Sequence, residues 1–472
     1  MVFSSIPFIF MFLPIFALFY YAVPFKAKNY VLLVFSLIFY AWGEPIYILL
    51  MLVVTVINFI AGLLINHFDN DNFKRKLVII SAVILSIAAL CYFKYTDFLI
   101  DIINGIIRTD ITHKNIRLPI GISFFTFQTL SYTIDLYKRE IEVEKNYAFF
   151  LMYVSMFPQL IAGPIVRFAT VQSELRNRRI TVQGFCDGFF RFCLGFFKKA
   201  LIANQMGMLW ESFNLMDTSN MSFLGSWLGL FSFTLQLYFD FSAYSDMAIG
   251  MGQMMGFHFL ENFNYPISSL SITDFWRRWH ISMSTWFRDY IYIPLGGNRC
   301  GRVKRLRNIL IVWFTTGLWH GASWNFVLWG MFHAFFLLME KNVYGKFLEK
   351  LPKIIRNIYS IIIVTAGFGI FAMTDFHRIF DYFKVALCIN KHSFVGADFY
   401  YYFNNFKIII LITVLAAYPI YPYLRDKLYV SCNKRVISIA QVAFLGVFIC
   451  LFLISVSGLV ADSYSPFLYF RF

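Results

Sequence analysis

Apolar runs long enough to cross a lipid bilayer recur from one end of the chain to the other. We read crossing segments near 3–23, 29–42, 46–67, 76–95, 118–136, 147–165, 183–203, 222–239, 242–259, 357–374, 406–424 and 436–459. About 20 apolar residues in a helix match the ~30 Å hydrocarbon core of a bilayer. Several runs are short or interrupted by Gly and Pro, so the pattern predicts roughly ten to twelve transmembrane helices. The expected fold class is all-α, a polytopic integral membrane protein with further interfacial and re-entrant helices. No internal repeat, low-complexity tract or soluble domain interrupts the pattern. We therefore expect one membrane domain over residues 1–472, with C-terminal spans at about 357–459.

The polar residues between the runs predict an orientation. Lys26 and Lys28 follow the first run, and Lys74, Arg75 and Lys76 follow the third. Arg176, Arg178 and Arg179 mark another basic loop, and Arg299, Arg302, Lys304, Arg305 and Arg307 form the densest cluster. Lys341, Lys346, Lys350, Lys353 and Arg356 come next, then Arg425, Lys427, Lys434 and Arg435. The link after the second run carries only Glu44. Basic loops stay on the cytoplasmic side. The expectation is that both termini lie outside and that the 299–307 and 341–356 loops lie inside. The longest outer polar stretch is then 375–405.

Composition agrees and excludes whole classes. The chain is 59% hydrophobic and only 14% charged, where a soluble domain carries about 25% charged residues. A soluble enzyme, a disordered chain and a nucleic-acid module are excluded. The formal charge of +15 fits basic loops facing anionic lipid, not a DNA footprint. Seven cysteines occur, none in a CxxC pair. Most sit in or beside apolar runs and are read as buried small hydrophobes, not as a disulfide framework or a metal site. Cys300 is the exception, in a basic loop. No basic stretch precedes the first run, so a cleavable signal is not expected.

Against this apolar background three polar stretches stand out, because charge at membrane depth is costly and faces an interior. In the first, Asp240 and Asp246 sit between two apolar runs. They would anchor a cation or orient a basic group, or else cap a helix start at a break or pair with an interior Arg. In the second, residues 273–289, a helical period puts Trp276, Trp279, His280, Met283 and Phe287 on one face. Asp274, Arg277, Arg278, Arg288 and Asp289 share the other. This predicts a helix lying in the interface, with Thr273 as N-cap. The third, 308–340, lies between two cytoplasmic loops, so the chain must enter and return. Arms of about 16 residues reach only about 24 Å, so the tip stops inside the bilayer or just reaches the far side. That tip, 315–325, holds His320 between Gly317 and Gly321. A titratable His at such a tip points to proton transfer. His67, His113, His258, His377 and His392 read as loop or span-end residues, and His333 as packing.

Taken together, these stretches resemble a known family. The residues are 1–5, 39–42, 157–164 (FPQLIAGP), 240–246 (DFSAYSD), 262–266 (NFNYP), 274–280 (DFWRRWH), 292–299 (YIPLGGNR) and 318–324 (LWHGASW). In this order they resemble the membrane-bound O-acyltransferases (MBOAT), and most closely their bacterial, AlgI-like alginate O-acetyltransferase branch. The motif-bearing core is about 115–340, and the last hundred residues carry no motif.

The resemblance implies helices around a thin waist with a central tunnel. There an acyl thioester meets a hydroxyl acceptor. It places His320 on the family's essential histidine and His280 on its second active-site position. It further implies a bacterial inner-membrane location, acetyl-CoA or another acyl thioester as donor substrate, and no bound cofactor or metal. An extracytoplasmic SGNH-hydrolase-like acetyltransferase is the implied partner, with a polysaccharide as acceptor. A sister branch transfers D-alanine from a carrier protein to teichoic acid.

Chemistry assigns expected roles. Acyl transfer to an alcohol needs a base and a group that meets the developing oxyanion. His320 is the candidate base, and His280 would orient the thioester or hydrogen-bond the oxyanion. Trp319, Ser323 and Asn325 would complete the pocket. Trp276, Arg277, Arg278 and the 299–307 cluster would meet the donor and its phosphates, unless those charges serve topology alone. No Ser-His-Asp or reactive-Cys arrangement is apparent, which favours direct transfer. The rival readings are a transporter or flippase of an acylated intermediate and a scaffold for a secretion complex.

Overall fold

The computed structural model describes residues 2–161, 163–389, 392–431, 434–461 and 467–468. Met1 and Ala162, which belong to two of the motifs, and Cys432 lie outside them. The described residues are mostly helical, and no β-strand occurs among them. By length and composition, five described helices can cross a membrane: Ile48–His67, Asn72–Ile107, Lys353–Ala372, Ala397–Ala417 and Ser438–Val460. The other predicted runs are shorter, bent or more polar. The run 3–23 is a π-turn, Phe8–Phe12, leading into Leu13–Ala22. The run 118–136 becomes helical only at Ile122, after Gly121 turns left-handed at φ 79°. The run 147–165 breaks at Met156, whose ψ of 110° leaves the helical region.

The helix Asn72–Ile107 has 36 residues and so spans about 54 Å. It is capped by Asp71, whose carboxylate accepts the Lys74 N–H, and it extends well past the predicted end at 95. The two runs 222–239 and 242–259 form one helix, Phe223–Met254. The expected break at Asp240 is absent because both carboxylates are neutralised from the antiparallel neighbour, Val182–Phe197 and the π-turn Lys198–Ala203. Asp240 accepts from Lys199 at 2.6 Å. Asp246 accepts from Lys198 at 2.6 Å and Arg191 at 3.0 Å. The two helices come close because they meet at glycines. A Cβ on Gly188 would lie 2.5 Å from the Gly250 carbonyl, and one on Gly195 would lie 2.6 Å from that of Ala243. Small residues of this kind let helix backbones approach in a membrane.

Described residues near the start and near the end of the sequence both pack onto this same helix. Phe3 stacks on Tyr244 at 4.5 Å, and Phe467 packs edge-on against it at 5.1 Å. The Leu468 N–H donates to Asp240 at 2.6 Å. The first and middle elements are joined again where the Tyr20 and Tyr21 hydroxyls donate to the carbonyls of Met255 and Met254. Arg178, from a predicted cytoplasmic loop, is buried there and donates to the Met255 carbonyl.

The cysteine reading needs correction. Cys193 is buried, but Cys186, Cys388 and Cys450 are exposed, and Cys91 and Cys300 are intermediate. A cysteine in an apolar run on the outer face of a helix meets lipid, not protein. The Cys300 thiol donates to the Gly297 carbonyl and closes its tight turn.

Candidate active site

The predicted hairpin forms from an outgoing arm, Arg302–His320, and a return arm, Trp324–Met339. Arg302, Lys304, Arg305 and Arg307, expected in a loop, are the opening turns of the outgoing helix. The arms touch backbone to backbone: a side chain on Gly317 would overlap the Phe326 carbonyl, and one on Gly330 that of Trp313. Such contact holds the tip as a rigid corner. Gly321 and Ser323 are extended, with φ of −166° and −153°, so the chain reverses within three residues. His320 is thereby left at the helix end, 8% exposed.

Aromatic rings enclose the His320 imidazole: Trp319 and Trp329 at 4.9 Å and Phe371 at 5.3 Å. Its Nδ1 is buried and has no partner. His280 lies across the Trp319 indole, 6.1 Å from it, and is fully buried with the Phe241 ring at 4.6 Å. Two histidines thus flank one indole, inside protein.

The expected interfacial helix does not run through His280. It divides into Ile272–Arg278 and Ile281–Phe287, with His280 left-handed at φ 43°. This uncommon conformation for a side-chain-bearing residue is imposed by a preceding segment. The Asn264 N–H donates to the Arg278 carbonyl and the Ile281 N–H to the Asn262 carbonyl, each at 2.9 Å. The N-cap is Ser271, not Thr273, since its hydroxyl accepts the Asp274 N–H.

Asn262 also sets the His280 tautomer. Its Oδ1 accepts from the Ser282 N–H at 3.2 Å and hydroxyl at 2.9 Å, so this atom is an acceptor. His280 Nδ1, 3.2 Å from the same oxygen, is then the donor. The unpartnered Nε2 of the neutral ring therefore presents a lone pair. It can receive a hydrogen bond, and it would stabilise an oxyanion only after protonation.

The other predicted residues divide clearly. Trp276 is buried against Trp313 at 4.6 Å, Trp329 at 5.6 Å and His333 at 4.9 Å. It joins the aromatic cluster that reaches His320. Arg277 is exposed, and Arg278 is paired with Asp274 at 2.9 Å, so neither enters the histidine pair. Ser323 makes no side-chain cap at the return arm. Asn325 is fully buried and turned toward the Phe371 carbonyl at 3.3 Å, where it fastens the helix Lys353–Ala372. Asp240 and Asp246 are committed to their cations, although Phe241, beside Asp240, touches His280. A cavity of about 200 Å³, mostly apolar, includes Trp276, Trp313 and Thr316, one turn before His320, together with Arg288 and Tyr292.

Sequence reading missed Lys94. It is buried, and its ammonium donates to the Trp319 carbonyl and to that of His320 at 3.4 Å. The available signal is a lone lysine between Phe93 and Tyr95, at the end of the predicted span 76–95.

A family model described as MBOAT, membrane-bound O-acyltransferase family, matches residues 37–376. The chain is 36% identical over 510 residues to "probable alginate O-acetylase AlgI" of Azotobacter vinelandii, covering all of both chains. It is 42% identical over 377 residues to the protein of the same description from Pseudomonas aeruginosa, covering 79% of this chain and 72% of that one. It is 34% identical over 390 residues to "peptidoglycan O-acetyltransferase" of Helicobacter pylori, covering 75% and 74%. The family model includes the hairpin, both histidines and the indole between them, and the similarity to the first relative runs the full length. This chain belongs to the membrane-bound O-acyltransferase family.

Proposed function

We propose that this membrane O-acyltransferase moves an acetyl group from a cytoplasmic thioester, acetyl-CoA, to a hydroxyl acceptor, for O-acetylation of an envelope or extracellular polysaccharide. The observation that carries the reading is the pair His320 and His280, each with one unpartnered buried nitrogen, on either side of Trp319. His320 takes the proton of the acceptor hydroxyl as its oxygen attacks the thioester carbonyl. The C–S bond then breaks, and the thiolate leaves with that proton. A positioned base of this kind contributes about 10²–10⁴-fold. His280, through Nε2, accepts a hydrogen bond from a donor or acceptor group and orients it. Among the described residues no Ser or Cys side chain bonds to either imidazole, which supports direct transfer without an acyl-enzyme.

The apolar cavity beside Thr316 suits the slender arm of a thioester donor. Arg288 and Arg277, with the basic first turns of the outgoing arm, suit its phosphates. Basic residues at these helix starts support a cytoplasmic donor side in a bacterial inner membrane, with both termini outside. The acceptor side would then serve an extracytoplasmic SGNH-hydrolase-like partner, or the polysaccharide itself.

Donor identity is tested by supplying acetyl-labelled acetyl-CoA to membranes containing the protein. Label in the envelope polymer is expected. No label, with transfer restored by a D-alanyl-charged carrier protein, would overturn the acetyl-CoA reading.

A further inference from the structure

The last four carbonyls of any α-helix have no partner within it. In water they are solvated, but at membrane depth each unmet group costs several kcal/mol. The outgoing arm ends at His320 in such a place. A left-handed cap is unavailable, because Gly321 is extended and the chain turns at once into the return arm. The four carbonyls are nevertheless all met. Gly317 accepts from the Gly321 N–H at 3.4 Å. Leu318 accepts from the Tyr95 hydroxyl at 2.7 Å. Trp319 and His320 accept from Lys94 Nζ. Three of the four are therefore held by two adjacent residues of one distant helix, Asn72–Ile107.

Hydrogen bonding alone does not require a lysine here. A neutral amide or hydroxyl would serve without the cost of burying an ammonium. Among the described residues Lys94 has no carboxylate partner. Its remaining contacts are the Ser123 hydroxyl at 3.4 Å and the Trp319 ring at 6.0 Å. The nearest acids on its own helix are turned to a following loop: Asp97 accepts the Lys114 N–H, and Asp101 pairs with His113. Lys94 Nζ therefore meets the negative end of the helix dipole, at the carbonyl of the residue that carries the imidazole.

We propose that Lys94 is a positioning residue for acyl transfer. It fixes the backbone of Trp319 and His320, and so the place of the imidazole relative to both substrates. It also balances the helix-end charge beside that ring. The proposal rests on His320 being the base.

The test is a purified, monodisperse protein assayed for acetyl transfer with acetyl-CoA and a soluble hydroxyl acceptor. A misplacement of about 1 Å can cost about 10²-fold, so Lys94→Met should lower kcat by about that factor with the donor KM nearly unchanged. Lys94→Arg, which keeps the charge and the donors, should recover most of it. If Lys94→Met does not fold, Lys94→Gln decides: it keeps a donor without the charge and should lower kcat by about tenfold. Wild-type kcat in the folded Met or Gln variant, or a loss confined to KM, overturns the proposal. His320→Ala is run alongside. Activity retained there would remove the reading of His320 as base, whereas a dead His320→Ala with a fully active Lys94→Met removes only the role of Lys94.

Discussion

Replacing His320 by Ala abolishes acetylation of the envelope polymer while the protein remains folded in the membrane. The expected loss is about 10³-fold or more, because removal of a general base forfeits about 10²–10⁴. The imidazole also sits against three aromatic rings, so Ala leaves a void. His320→Gln, closer in volume, should be equally inactive, which separates lost chemistry from lost packing. The measurement is ester-linked acetate in the isolated polymer, set against the amount of monodisperse protein extracted from the membrane. A pure carrier of an acylated intermediate predicts near-normal acetate in both variants. A scaffold predicts the same for His280→Ala as well.

The second large effect concerns the fold. Asp240 and Lys199 are each 4% exposed and lie 2.6 Å apart. Breaking a buried pair on one side leaves an uncompensated charge and costs about 3–5 kcal/mol. Asp240→Ala also loses the Leu468 N–H bond, next to the Phe467 ring that packs against Tyr244. A clear fall in the melting temperature of the detergent-solubilised protein is expected. Replacing the pair by apolar residues, Asp240→Leu with Lys199→Met, should recover much of it, since no charge is stranded. An unchanged melting temperature in Asp240→Ala would contradict this account of the helix.

The parts of this molecule legible in its sequence were those where polar residues interrupt an apolar background. His320 stood out because glycines flank it at the tip of a segment that must turn back, and the structure places it there. His280 and Trp276 were found through helical periodicity, but the kink between them was not. The apolar face continues through Trp279 and His280, and the left-handed turn is imposed by Asn262 and Asn264, residues outside the repeat. Asp240 and Asp246 read as a break because their cations lie on another helix, and a paired carboxylate does not stop a helix. Lys94 was lost for the same reason. Its partners, Trp319 and His320, are more than two hundred residues away, and a lysine near the end of an apolar run looks like one reaching for the headgroups. Arg278 pairs locally with Asp274, and the Asn325 amide donates to the distant Phe371 carbonyl; neither bond shows in the sequence pattern. Short-range pattern thus marks the polar stretches that interrupt the apolar runs, while the contacts that shape them are long-range.

On the proposed function, the acetyl group is transferred at His320 and not merely carried. The most direct measurement uses the protein in liposomes, with acetyl-labelled acetyl-CoA on the side of the 302–307 basic turns and a hydroxyl acceptor on the other. Labelled acetyl ester is expected on the acceptor, with an equal amount of free CoA on the donor side, and neither with His320→Ala. Intact labelled thioester reaching the acceptor side, at the same rate with His320→Ala, would contradict it.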